Sequence, residues 1–161
     1  MDFVPVTIVC ILFLSQIVAG IYLLSDISQN TVLTYMGLGF YVFSRIFFGM
    51  SPVVEFRRKG GVKKGTSYVK TTEIVDSSIY SVIRHPQYIT FTMWAISGML
   101  LFQHWIIIML GIPIIPLTYF DLIRADKALI KKFGEDYKAY MKSVPRANFL
   151  LGIIRRLQRR T

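Results

Sequence analysis

The sequence predicts an all-α polytopic membrane protein, with about four transmembrane helices and a C-terminal amphipathic helix on the cytoplasmic side. Three observations predict it. Hydrophobic residues make up 53% of the chain and the mean hydropathy is +0.50, above that of an ordinary soluble domain. The apolar residues gather in long unbroken runs. The basic residues fall in two blocks: of 19 Lys and Arg, seven lie between Glu55 and Gln87 and eleven from Asp121 onward, leaving Arg45 alone elsewhere. At 161 residues a single membrane domain is expected.

The first run, residues 4–24, carries no charge and is long enough to span a bilayer, which takes about 20 residues. It does not read as a signal peptide, because Asp2 and no basic residue precede it and no small-x-small cleavage site follows. Cys10 inside it reads as a small apolar residue. One cysteine and two histidines exclude an internal disulfide, a Cys-rich cluster and a conventional zinc site, so no metal is expected. The link at residues 25–30 has no basic residue.

The second span is expected at residues 31–54 and contains Arg45. A charge inside a span is costly, so Arg45 either serves a substrate or snorkels to a lipid headgroup. Gly37 and Gly39 would allow close helix contact. The polar segment 55–87 follows, with Gly60, Gly61 and Gly65 among its basic residues. It lacks the spacing of a phosphate loop or of a dinucleotide fingerprint, and reads as a loop on an anionic leaflet. Residues 72–75 read as a short extended piece.

Residues 80–88, YSVIRHPQY, are the polar stretch around which the rest is arranged. Arg84 offers a fork of donors for a carboxylate or phosphate. His85 donates, accepts or carries charge near neutral pH. Pro86 pushes His85 out of helical geometry, so the triplet forms a shaped turn before the next apolar segment. A polar cap at a helix start would use the same residue types.

The third and fourth spans are expected at residues 88–102 and 105–123, a tight hairpin turning at Gln103 and His104. His104 reads as an interfacial residue. Pro113 and Pro116 should bend the fourth span. The links after the first and third spans lack Lys and Arg, so four spans with both termini and the Arg-His-Pro turn in the cytoplasm satisfy the positive-inside rule. The tail is expected to open with one amphipathic helix at residues 120–142, its apolar face carrying Leu122, Leu129, Ile130, Phe133, Tyr137 and Tyr140. Asp126 falls in the middle of that stripe. A lone acid there is costly, so it either pairs with a basic residue of the loop or binds a ligand. The last stretch, LLGIIRRLQRR, reads as an interfacial segment on anionic lipid.

Two blocks in this order carry a resemblance. Y-x-x-x-R-H-P-x-Y (Tyr80, Arg84, His85, Pro86, Tyr88) is followed, after the hairpin, by L-x-x-x-F-G-x-x-Y-x-x-Y-x-x-x-V-P-R (Leu129, Phe133, Gly134, Tyr137, Tyr140, Val144, Pro145, Arg146). The chain's second half thereby resembles the isoprenylcysteine carboxyl methyltransferases and the related phospholipid methyltransferases, which are integral-membrane enzymes. The resemblance implies S-adenosyl-L-methionine as cofactor and a lipidic or prenylated substrate reached from the bilayer. It implies that Tyr80, His85, Pro86, Gln87 and Tyr88 line the cofactor site and that Thr72, Glu73, Ile74 and Val75 wrap the cofactor. The family's paired glutamates would fall at Ala125 and Asp126, and its substrate-linked arginine at Asp121. Here the first carboxylate is missing, the second is shortened, and Arg124 is near the arginine's position but out of register.

The chemistry is consistent with these roles. Tyrosine faces suit a sulfonium, Arg84 and His85 suit the cofactor's carboxylate, and Asp126 suits its amino group. Methyl transfer to a carboxylate needs placement in a dry pocket and no general base. Arg84 and His85 are the expected catalytic residues, with Arg45 and Arg124 toward the substrate. Two other readings stand beside this one. One is a phospholipid N-methyltransferase. The other is a non-catalytic membrane protein whose basic loop and tail bind anionic lipid or a partner. No nucleic-acid role is expected.

Overall fold

Helices form wherever the sequence runs apolar, and they overrun the expected span limits at both basic ends. The computed structural model describes residues 4–23, 30–61 and 71–158, with side chains from residue 7 onward. The link at residues 24–29 and the basic stretch 62–70 lie outside the described residues. The helices are α1 (Val4–Tyr22), α2 (Thr31–Ser44), α3 (Ser51–Lys59), α4 (Pro86–Phe102), α5 (Trp105–Gly111), α6 (Ile114–Phe133), α7 (Glu135–Ser143) and α8 (Phe149–Gln158). A π-helical stretch, Arg45–Met50, joins α2 to α3, and a 3-10 turn, Ser78–Ser81, precedes α4. Among the described residues there is no strand, so residues 72–75 form a link rather than a sheet edge.

Two helical runs are long and apolar enough to cross a membrane, Thr31–Lys59 and Trp105–Phe133; Thr7–Tyr22 is a shorter apolar helix. The second run does not stop at residue 54, because Arg57, Arg58 and Lys59 in its last turn suit the negative end of a helix. The tail helix expected unbroken over residues 120–142 is two helices. Gly134 sits between them at φ +60°, a left-handed conformation that glycine adopts without steric cost. The bend expected from the prolines is a turn at Ile112 and Pro113 between α5 and α6.

The chain divides into two compact units, Met1–Arg45 with Tyr88–Arg124, and Ile46–Gln87 with Ala125–Thr161. In the first, Val9, Ala95 and Ile114 form a buried cluster, with Leu12, Phe13, Met99 and Leu117 packed on it. Gln16 is buried in this apolar setting and its Nε2 donates to the carbonyls of Ala95 (3.1 Å) and Ile107 (3.2 Å). Such bonds cross-tie helices in a low-dielectric interior. Gly37 permits close approach, since a Cβ there would sit 2.9 Å from the Leu101 nitrogen, whereas Gly39 faces open space. Gln103, at φ +46°, latches the hairpin turn to the start of α2: it accepts from the Asn30 amide and donates to the Asn30 carbonyl and to Thr34 Oγ1. His104 caps α5, its Nδ1 accepting from the Ile106 amide at 3.2 Å.

In the second unit, Thr72 N donates to the Gly60 carbonyl at 3.1 Å, tying residues 71–72 to the end of α3. Glu55 accepts from Ser77 Oγ at 2.6 Å and pairs with Lys59 at 3.3 Å. Tyr140 Oη donates to the Tyr80 carbonyl at 2.6 Å, and the Arg84 amide donates to the Pro145 carbonyl at 3.1 Å. These bonds dock the Arg-His-Pro turn on α7 and the segment after it.

Candidate functional site

The second unit is built on one buried carboxylate. Asp126, on α6, is 2% exposed. Its Oδ1 accepts from His85 Nε2 at 2.7 Å and from the Tyr137 hydroxyl at 2.8 Å. Its Oδ2 accepts from Arg84 Nη2 at 3.0 Å and from Arg146 Nε at 2.7 Å. An ionised carboxylate offers about four lone-pair positions, and here four donors fill them. Of the two alternatives posed by the sequence, the ion pairing is present, with Arg84 and Arg146 on the one carboxylate.

The other members are held as firmly. Arg84 Nη1 donates to the carbonyls of Met141 (2.9 Å) and Val144 (2.7 Å), at the end of α7. Its Nε is buried and unpartnered. Three of the five N–H donors of Arg84 therefore serve the protein itself. Gln87 Nε2 donates to the Tyr80 hydroxyl at 2.8 Å, and the Tyr80 ring lies 5.8 Å from that of Phe56. Burial, and then the Asp126 carboxylate beside it, push the Tyr137 phenol above its ordinary value of 10.0.

Removing that phenol gives a modest, pH-dependent effect. Tyr137→Phe should cost about 1.5–3 kcal/mol at neutral pH, because a charged acceptor loses a donor. The folded-state value is raised, so this contribution is complete below pH about 10, where the unfolded phenol is also neutral. It shrinks as pH rises and the unfolded phenol ionises. Denaturation of both proteins at pH 7 and pH 11 checks it; a gap that widens with pH would contradict the assignment.

The structure brings Tyr80, Arg84, His85, Pro86, Gln87 and Asp126 into one unit. Thr72, Glu73, Ile74 and Val75 belong to the same unit, with Thr72 and Glu73 exposed and Val75 buried. Arg45, Tyr88 and Arg124 belong to the other unit. There the Arg45 guanidinium stands 5.6 Å from the centre of the Trp94 ring, a cation–π contact, and Arg124 is exposed. Sequence reasoning did not foresee the roles of Tyr137, Tyr140 and Arg146. All three stand in the second motif block, and that spacing was the available signal.

Among the described residues the chain is helical, with two helices long and apolar enough to cross a membrane and a buried polar cluster gathered on one carboxylate. Residues 63–131 match the family model described as the isoprenylcysteine carboxyl methyltransferase (ICMT) family. The chain is also 26% identical over 137 residues to the protein-S-isoprenylcysteine O-methyltransferase of Schizosaccharomyces pombe, which covers 84% of this chain and 54% of that protein. The chain thus spans about half the length of that relative. No solved structure matches it. The two matches support the isoprenylcysteine carboxyl methyltransferase family for this chain, the one that its motif blocks resemble.

Proposed function

We propose that the chain is a membrane methyltransferase that uses S-adenosyl-L-methionine to methylate a lipidic or prenylated acceptor. In this reading it has four spans, with both termini and the site in the cytoplasm. The observation that carries the proposal is the convergence of residues 80–87 with Asp126 in one buried cluster, both parts lying within the segment that matches the family model.

The fit to the cofactor is uneven. Two guanidiniums surround one carboxylate, and Arg84 Nε is a buried donor without a partner. That surplus of positive charge and N–H suits the cofactor's carboxylate. Asp126 does not suit its ammonium. Tyr80, His85 and Gln87 would hold the cofactor with Arg84, while Asp126 positions Arg84 and His85 from behind. When bound, the cofactor supplies an electrophilic methyl group on a sulfonium. The buried turn then excludes water and fixes the approach, which a carboxylate acceptor needs more than it needs a base.

The test is transfer of labelled methyl by the detergent-purified protein. A base-labile methyl ester on a prenylated cysteine is expected. Label on phosphatidylethanolamine nitrogen instead would move the chain to phospholipid N-methylation. Absence of cofactor binding would leave the non-catalytic reading.

One variant addresses the missing family carboxylate. Ala125 is half-buried, one residue before the clamped Asp126. Ala125→Glu should raise cofactor affinity by up to about tenfold, the value of one weak charge-assisted hydrogen bond. Calorimetry reads it, and an unchanged or weaker affinity would mean that this position does not face the cofactor's ammonium.

A further inference from the structure

The last helix shows its apolar face outward. On α8, Leu150, Ile153, Ile154 and Leu157 share one side at helical spacing and are 74%, 37%, 52% and 60% exposed. Gly152 lies on the opposite side and is buried, flanked around the helix by Arg155 and Arg156. A Cβ at Gly152 would collide with the carbonyl oxygen of Val82, so only glycine lets α8 sit on that backbone. Val82 is two residues before Arg84. Arg155 Nη1 also donates to the Lys142 carbonyl at 3.3 Å. The protein-facing side of α8 is therefore the glycine side, and the apolar stripe needs another partner.

Two observations identify that partner. Phe149, at the start of α8, packs edge to face on Phe48, ring centres 5.9 Å apart. Phe48 lies in Thr31–Lys59, a helix of membrane-crossing length that ends in Arg57, Arg58 and Lys59. The contact joins the start of α8 to a helix long and apolar enough to cross a membrane. The charge is also complementary to anionic lipid: Arg155 and Arg156 on the helix, Arg159 and Arg160 after it in sequence, and +10 over the chain.

We propose that α8 lies on the anionic surface of the bilayer, and that through Gly152 this contact fixes the turn carrying Arg84 and His85. Anionic lipid would then order the polar cluster, whatever acceptor it serves.

The test uses the full chain in nanodiscs of phosphatidylcholine, with or without about one-third phosphatidylserine. An environment-sensitive fluorophore on Leu150→Cys, in a Cys10→Ser background, reports on the stripe. Amide hydrogen exchange at Ile83 and Arg84 reports on the turn. Phosphatidylserine should shift the emission to the blue, allow quenching by brominated lipid, and slow exchange at Ile83 and Arg84 by about tenfold or more. Arg155→Gln with Arg156→Gln should weaken both responses.

A fluorophore that stays in water in both discs would overturn the lipid contact. Protection that grows with protein concentration in detergent would instead assign the stripe to a second copy. Gly152→Leu keeps the stripe and breaks the seat. It should keep the emission shift and lose the slowed exchange; if exchange stays slow in this variant, the coupling through Gly152 is wrong. None of these readouts depends on methyl transfer.

Discussion

Asp126→Asn should destabilise the protein by about 3–5 kcal/mol, the cost of breaking a buried ion pair by removing one partner. The side chain is 2% exposed and receives four donors. Asparagine keeps one carbonyl oxygen and turns an NH2 group toward those donors. Arg84, 5% exposed along its side chain, is then a buried cation without its counter-ion. The loss is a large fraction of a stability of about 5–15 kcal/mol, so a substantial drop in melting temperature is expected. The loss should be local, with exchange rising first at the Arg84 amide, which is bonded to the Pro145 carbonyl. Asp126→Glu keeps the charge but adds a methylene to a filled space, so it should cost less than Asp126→Asn. An asparagine variant with an unchanged melting temperature and lost cofactor affinity would show that the carboxylate is a ligand, contrary to its saturated geometry.

That the chain is helical, with runs long enough to cross a membrane, was legible because apolar runs are long-range averages that survive errors at single positions. Element ends were not, because they depend on local events. Gly134 takes a left-handed conformation that no hydropathy pattern encodes, and basic residues after the second run extend its helix instead of ending it. The site was half legible. Arg84, His85 and Asp126 stood out as costly residue types in apolar surroundings, and the structure joins them. What the sequence left open was who satisfies whom. Arg84 reads equally well toward a ligand or toward backbone carbonyls until the end of α7 is placed beside it. Arg146 was visible only as a motif letter, since a hydrogen bond to a residue 20 positions away leaves no periodic trace.

His85→Ala should lower cofactor affinity by about 10- to 150-fold, the range spanned by one hydrogen bond to a charged group. The same change removes one of the four donors to Asp126, so part of the effect is structural. The conservative variant separates the two. His85→Gln retains an N–H for Oδ1 but no aromatic ring and no acceptor nitrogen at the Nδ1 position. It should recover most of the melting temperature lost in His85→Ala while leaving affinity low. Calorimetry with S-adenosyl-L-methionine and thermal unfolding of the same detergent preparations give the two readouts. Recovery of both in His85→Gln would reduce His85 to a clamp on Asp126, and would leave Arg84, with its unpartnered Nε, as a donor for an anion. Recovery of stability alone keeps His85 on the cofactor, held there by the carboxylate behind it.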